Sequence, residues 1–153
     1  MTATNLLLEK PEFKVTQTAK GTWREFMYAN GRLYREYTSH RRVFGLPWYQ
    51  YKMGRNPETG RMEAAHGFIA VGQFAKGVIA IGQVSRGWIA IGQAAFGGIA
   101  SIGQLAVSPL ALGQFALAGA AAAQIGVAFA GVFQVGAACV GKGMEFLQLP
   151  MPF

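Results

Sequence analysis

Aspartate is absent from this chain of 153 residues, and charged side chains of either sign are scarce. All seven acidic residues are glutamates, set against 14 lysines and arginines, which gives a formal net charge of +7. From Gly87 to Gly141 no side chain carries a charge at all. A surface of that length without charge is expected to be covered by protein or by lipid.

Groups that carry out chemistry are equally rare. The two histidines, His40 and His66, have no cysteine or acidic residues at metal-ligand spacing, and no serine lies in a nucleophile elbow. The glycine-rich segments lack the Lys-Ser or Lys-Thr that completes a phosphate-binding loop. We therefore expect a protein that is not an enzyme and that uses neither a cofactor nor a metal.

One cysteine, Cys139, excludes an internal disulfide framework and fits a reducing compartment. The first residues, MTATNLLLEKPEF, lack the basic and apolar regions of a secretory signal. We expect the protein in the cytoplasm or at the cytoplasmic face of a membrane.

The sequence is dominated by an internal repeat. Blocks such as GVIAIGQVSR and GWIAIGQAAF follow one another from residue 67, and each divides into two halves of five residues. In every half from residue 67 to residue 89, a small residue stands two places before a large apolar one, so both point to the same side of an extended chain. We expect glycine with isoleucine or phenylalanine to fill one interior. A glutamine recurs at intervals of ten residues, except for one interval of eleven between Gln93 and Gln104. These residues form the glutamine row: Gln73, Gln83, Gln93, Gln104, Gln114, Gln124 and Gln134.

This period predicts an all-β fold, a glycine-rich β-solenoid over residues 67–143 whose coils stack at about 4.8 Å. The glutamine row would form a ladder of amide hydrogen bonds that sets the register. The interval of eleven predicts a bulge around Ser101 and Ile102. The sequence leaves open the handedness of the coil and whether one coil takes ten or twenty residues.

Residues 1–66 predict an antiparallel β-hairpin cap over the open edge of the repeats. Asn30-Gly31 lies between two aromatic-rich runs, which is a strong hairpin signal. A second, longer turn is expected at residues 56–60. Residues 144–153 form an apolar tail that either caps the far end or reaches into a neighbour.

Two acidic residues flank that longer turn. Glu58 and Glu63 are expected to form salt bridges with Arg55 or Arg61 rather than to act in catalysis.

The five-residue rhythm resembles that of pentapeptide-repeat proteins, although here the small residue is glycine and the middle one is never aspartate. The combination of FGLPW, NPETGR and GVIAIGQ also resembles uncharacterised bacterial proteins built from Gly-Ile-Ala-Ile-Gly-Gln repeats. The resemblance implies a β-solenoid fold but no activity.

The function expected is that of a structural or scaffold protein that associates through an uncharged apolar surface. Its partner would be itself, in an oligomer or polymer, or a larger protein assembly with plausible membrane contact. Seven residues are expected to carry the association: Ile81, Trp88, Ile91, Phe96, Phe146, Leu147 and Phe153.

Two alternatives belong to other classes. The first is an integral membrane protein with a helical hairpin at residues 87–141, since this stretch is long and apolar enough to span a bilayer. Against it, glutamines ten residues apart would lie on different faces of a helix. The second is a nucleic-acid-binding module that uses the basic cap, but we do not expect nucleic acid as the partner.

Overall fold

The computed structural model describes Pro11 to Gln148, with side chains up to Val140 apart from Cys139. Between residues 11 and 148 the chain is mostly strand and contains no helix, so the prediction of an all-β protein is confirmed. The strands are β1 Lys14–Thr18, β2 Gly21–Met27, β3 Leu33–Ser39, β4 Arg42–Val43, β5 Leu46–Pro47, β6 Tyr49–Met53 and β7 Ala65–Gln148.

The predicted hairpin joins β2 to β3. The two strands pair antiparallel with Met27 opposite Leu33, and Gly31 takes a φ of 77°, which glycine adopts without strain. Asn30 Oδ1 accepts a hydrogen bond from the backbone N–H of Arg32 at 3.1 Å. Strands β1, β2, β3 and β6 are neighbours in that order in one open sheet and pair antiparallel.

Strand β6 also pairs with the start of β7, and this pairing is parallel, with Tyr49 opposite Ile69. The expected turn at residues 56–60 is present, with the N–H of Gly60 bonded to the carbonyl of Asn56 at 2.8 Å. Residues 54–64 return the chain to the beginning of β6, as a parallel neighbour requires. The Trp48 ring stacks on Phe68 with centroids 5.0 Å apart, where the antiparallel sheet meets β7.

Burial along β7 follows a period of five residues. Every fifth side chain is buried, and most are alanines: Ala65, Ala70, Ala75, Ala80, Ser85, Ala90 and Ala95, then Ser101, Ala106, Ala111, Ala116 and Ala121. The expectation that isoleucine or phenylalanine fills the interior with glycine is wrong for this part of β7. Ile89, for example, is 40% exposed.

Backbone contacts at a spacing of ten explain the small interior. A methyl group added at Gly77, Gly82 or Gly92 would collide with the carbonyl oxygen of the residue ten positions earlier. Ten extended residues span about 33 Å, so the chain must fold back on itself within each ten. An interior enclosed by so few residues has room for alanine and not for isoleucine.

The extra residue of the eleven-residue interval lies between Ala95 and Ser101, two buried positions that are six residues apart. Gly98 lies beside Gly87, eleven positions earlier, and a methyl group at Gly98 would come no closer than 3.7 Å to it. The extra residue lies just before Ser101, next to the bulge predicted around Ser101 and Ile102. Ser101 occupies the buried position of an alanine, and its Oγ lies 2.6 Å from the Oγ of Ser108.

The interior changes near residue 126. Phe133 is 3% exposed, and methyl groups added at Gly126, Gly131 or Gly136 would collide with its ring. Glycine replaces alanine at the buried positions where a large ring has entered, so the enclosed volume stays filled.

Residues 87–141 lie within β7, so the helical hairpin of the membrane alternative is wrong. Within this stretch, methyl groups added at Gly92, Gly113 or Gly136 would collide with the carbonyl oxygen of the residue ten positions earlier. Over the residues that the structure describes, no helix has the length and apolar character needed to cross a membrane.

Candidate association surface

The side chains on either side of each buried residue of β7 point outward, because successive residues of a strand face opposite ways. Buried residues alternate between two sides of β7. The outward side chains next to Ser101, Ala111, Ala121 and the buried residues in the same set share one side, which we name the first face. A trough of about 660 Å³ on this face gathers side chains from segments ten residues apart. Its outward-pointing members are Ala100, Ile102, Leu110, Leu112, Ala120, Ala122, Ala130, Val132 and Val140.

The other outward side chains form the second face, which has a separate trough of about 700 Å³. Its large members are Leu105, Phe115, Leu117, Ile125, Val127 and Val135. Most large side chains of both faces are exposed; Leu112 on the first face is 51% exposed and Leu117 on the second is 57% exposed. No charged side chain lines either trough.

The predicted association residues fall on different parts of β7. Ile81, which is exposed, and Ile91, which is half-buried, belong to the first face, and Phe96 belongs to the second. Trp88 is 60% exposed and lies in a cleft together with Phe96. Phe146 and Leu147 belong to β7, but the structure describes only their backbone. Phe153 lies outside the described residues.

Sequence reasoning missed the large apolar side chains between residues 97 and 140, although the signal was available. Placing alanine inside the five-residue frame puts Leu110 and Leu112 outside, next to buried Ala111. The same frame places Phe115 and Leu117 outside, next to buried Ala116.

The glutamine row follows one corner of β7. From Gln83 to Gln134 its side chains are exposed, while Gln73 is half-buried. A methyl group added at Gly82 would lie 3.2 Å from the backbone oxygen of Gln73, so Gln83 follows directly above Gln73. In the described part of the chain Gln73 Oε1 is buried without a hydrogen-bond partner. The amide ladder stays a prediction.

The antiparallel sheet holds a charged cluster that the sequence did not reveal. Lys52 Nζ lies 3.3 Å from Glu36 and 2.9 Å from Glu63, and Arg24 lies 3.3 Å from Glu36. The Tyr34 hydroxyl donates a hydrogen bond to Glu36 at 3.1 Å. Every carboxylate oxygen of this cluster thus has a partner, which fits a structural role.

The predicted salt bridges of the turn form with other residues than expected. Glu63 pairs with Lys52, and Glu58 lies 3.5 Å from Arg24. These partners come from β6 and β2, because the turn folds back over the sheet instead of pairing within itself.

The pKa values of the cluster reflect these contacts. The hydrogen bond from Lys52 holds the pKa of Glu63 below its ordinary value. Burial opposes the charge of Lys52, but the hydrogen bond to Glu63 and the charge of Glu36 together raise the pKa of Lys52. Burial and the charge of Glu36 raise the pKa of Tyr34 well above its ordinary value.

No protein-family model matches the chain, and no curated protein or solved structure matches it.

Proposed function

We propose that β7 is a β-solenoid with ten residues in each coil, and that the protein is a structural element that assembles with copies of itself through its two apolar faces. The observation that carries this proposal is that beyond Arg86 both faces are apolar and uncharged outside a core made mostly of alanine. The larger apolar side chains, which normally fill a core, lie outside and need a partner surface.

The ten-residue coil is supported by two independent patterns. Buried residues recur at five, one for each side of a coil, and backbone collisions recur at ten. The two troughs also collect residues ten apart, as stacked coils would. At about 4.8 Å per coil, residues 67–137 would be about 34 Å tall.

The presence of two apolar faces favours an extended assembly over a dimer. A face about 34 Å tall and three residues, or about 10 Å, wide has a footprint of about 340 Å². Stable interfaces bury about 800 Å² on each partner. One face is smaller than that, so a single contact is weak, and covering both faces of every protomer takes an extended assembly and not a dimer.

Three features favour copies of the same chain as the occupant. Beyond Arg86 neither face carries a charge that could select an acidic or a basic partner. A second copy has the same spacing between coils, so side chains of facing copies can interdigitate along the whole height. The exposed glutamine row would lie in hydrocarbon if lipid surrounded the coils, at a cost of several kcal/mol for each unpaired amide.

The proposal is tested by sedimentation velocity on the full chain and three variants. Leu112→Glu places a charge on the first face and Leu117→Glu on the second, while Gln114→Glu places the same charge on the corner between them. We expect large assemblies for the unmodified chain and for Gln114→Glu, dimers for each leucine variant, and monomers for the double variant. A monomeric unmodified chain, or assemblies that survive in the double variant, would contradict the proposal.

A further inference from the structure

A cleft of about 670 Å³ follows the corner of β7 opposite the glutamine row, close to the antiparallel sheet. Its floor is made of glycine backbone, at Gly77, Gly87, Gly97 and Gly98. The side chains that line it are Leu46, His66, Lys76, Val78, Arg86, Trp88, Phe96 and Val107. A volume of this size is typical of a site for a small molecule.

One wall of the cleft carries two positive charges. Lys76 and Arg86 occupy the same position in successive ten-residue segments, and both are exposed. Among the described residues neither forms a salt bridge with a carboxylate, while the cations Arg24, Arg35 and Lys52 do. Like charges side by side on neighbouring strands destabilise a sheet, and a bound anion removes that repulsion.

Beside these cations lie two aromatic side chains that the fold leaves uncovered. Trp88 is 60% exposed and Phe96 is 41% exposed. An indole bears a large apolar surface, so exposure of this extent next to a cleft is typical of a binding site. The cleft thus offers cations for an anion and ring surfaces for an apolar or aromatic group.

The extra residue of β7 falls in this cleft. Gly97 and Gly98 both belong to its floor, and the nearest atoms to a methyl group at Gly98 are 3.7 Å away. At the same corner of the preceding segments, methyl groups at Gly77 and Gly87 would collide with the carbonyl oxygens of Gly67 and Gly77. At Gly97, by contrast, the collision is with Ala100 of the same segment. The eleven-residue interval therefore opens the corner at the height of Trp88 and Phe96.

We propose that this cleft is a binding site for a phosphate monoester that carries an aromatic or apolar group. Lys76 and Arg86 together match the double negative charge of a monoester, which a carboxylate lacks. Trp88 and Phe96 contact the group attached to the phosphate. Lys76, Arg86 and Phe96 belong to the second face, but the cleft shares no lining residue with either trough, so binding is tested separately from association.

The site is tested by calorimetric titration of the full chain with phenyl phosphate, with inorganic phosphate and with benzoate. We expect phenyl phosphate to bind at least tenfold more tightly than either fragment. The double variant Lys76→Gln/Arg86→Gln should weaken its binding at least tenfold. Trp88→Leu should weaken the binding of phenyl phosphate several-fold and leave that of inorganic phosphate unchanged.

The matched control is Lys14→Gln/Arg61→Gln, which removes two exposed charges from outside the cleft and should bind phenyl phosphate as the unmodified chain does. Vesicles of phosphatidylcholine with phosphatidic acid serve as the lipid probe. Binding to vesicles alone, lost in Lys76→Gln/Arg86→Gln, assigns the phosphate to a lipid headgroup, and binding to phenyl phosphate assigns it to a soluble ester. Binding to neither probe, or equal loss in the control, would overturn the site.

Discussion

At the scale of single residues, glycine at the corners of β7 decides whether the segments can approach. Gly92 is the tightest of these, since an added methyl group would collide with the carbonyl oxygen of Gly82. The carbonyl oxygen belongs to the backbone and the position of the methyl group is fixed by it, so neither can rotate away. Small residues at these corners are therefore a requirement of the fold.

Gly92→Ala is accordingly expected to lower the free energy of unfolding by about 2 kcal/mol or more, as overpacking does. Gly98→Ala is the matched control, because a methyl group there meets nothing closer than 3.7 Å, and it should change the free energy by less than about 0.5 kcal/mol. Urea unfolding followed by circular dichroism measures both. Equal stabilities of the two variants would show that the segments are not in contact at Gly92.

The periodicity of the chain could be predicted from the sequence, but the residue type that fills the interior of β7 could not. Periods of five and ten identify repeated extended segments, but both Ile79 and Ala80 satisfy a rule of alternating faces. The choice depends on the width of the enclosed space, which depends on the number of residues in a coil. The Phe133 ring fills the interior beside Gly131 and Gly136, which stand where alanine would otherwise lie. This arrangement depends on packing in three dimensions and leaves no signal in a repeat pattern.

At the scale of elements, Lys52 of β6 links two glutamates, one from β3 and one from the connection to β7. The lowered pKa of Glu63 means that its contribution to stability is present above the unfolded pKa of about 4.3 and is lost as the pH falls through the folded pKa. The raised pKa of Lys52 means that its contribution is present below about 10.4 and is lost as the pH rises through the folded pKa.

Lys52→Met should therefore destabilise the protein at pH 7 by about 3 kcal/mol, because it leaves Glu63 without a cation and the buried Glu36 with Arg24 alone. The difference from the unmodified chain should shrink as the pH falls from the unfolded pKa of Glu63, about 4.3, through its lower folded pKa. Lys14→Met, on exposed β1, is the control and should have little effect at either pH. A difference that stays constant from pH 7 to pH 3 would contradict a role for this pair.

The elements of the antiparallel sheet were partly predictable. The Asn30-Gly31 hairpin depends on a local backbone conformation that the two residue types determine, so the sequence predicts it well. The parallel pairing of Tyr49 with Ile69 joins residues twenty positions apart, and the salt bridges of Glu58 and Glu63 join different strands. Contacts of that kind follow from how the connection at residues 54–64 runs, which no local pattern encodes.

At the scale of the whole molecule, the fold and the proposed assembly depend on the same dimension. In the proposed solenoid, a coil of ten residues would enclose the buried alanines and leave the exposed leucines and isoleucines outside, which would produce two apolar faces. A coil of twenty would enclose more space and bring the larger side chains inside, with less surface to cover. The number of residues in a coil therefore determines both what the interior encloses and how much apolar surface is left to cover.

Disulfide trapping measures it directly, in a chain whose own cysteine is removed by Cys139→Ser. Ile81→Cys with Ile91→Cys places thiols ten residues apart on one face, where neighbouring coils at about 4.8 Å allow a disulfide. Ile81→Cys with Arg86→Cys places them five residues apart, on opposite faces. Oxidation at low concentration should close the first pair within one chain and leave the second reduced. A second pair that closes, or a first pair that stays reduced, would contradict a coil of ten residues.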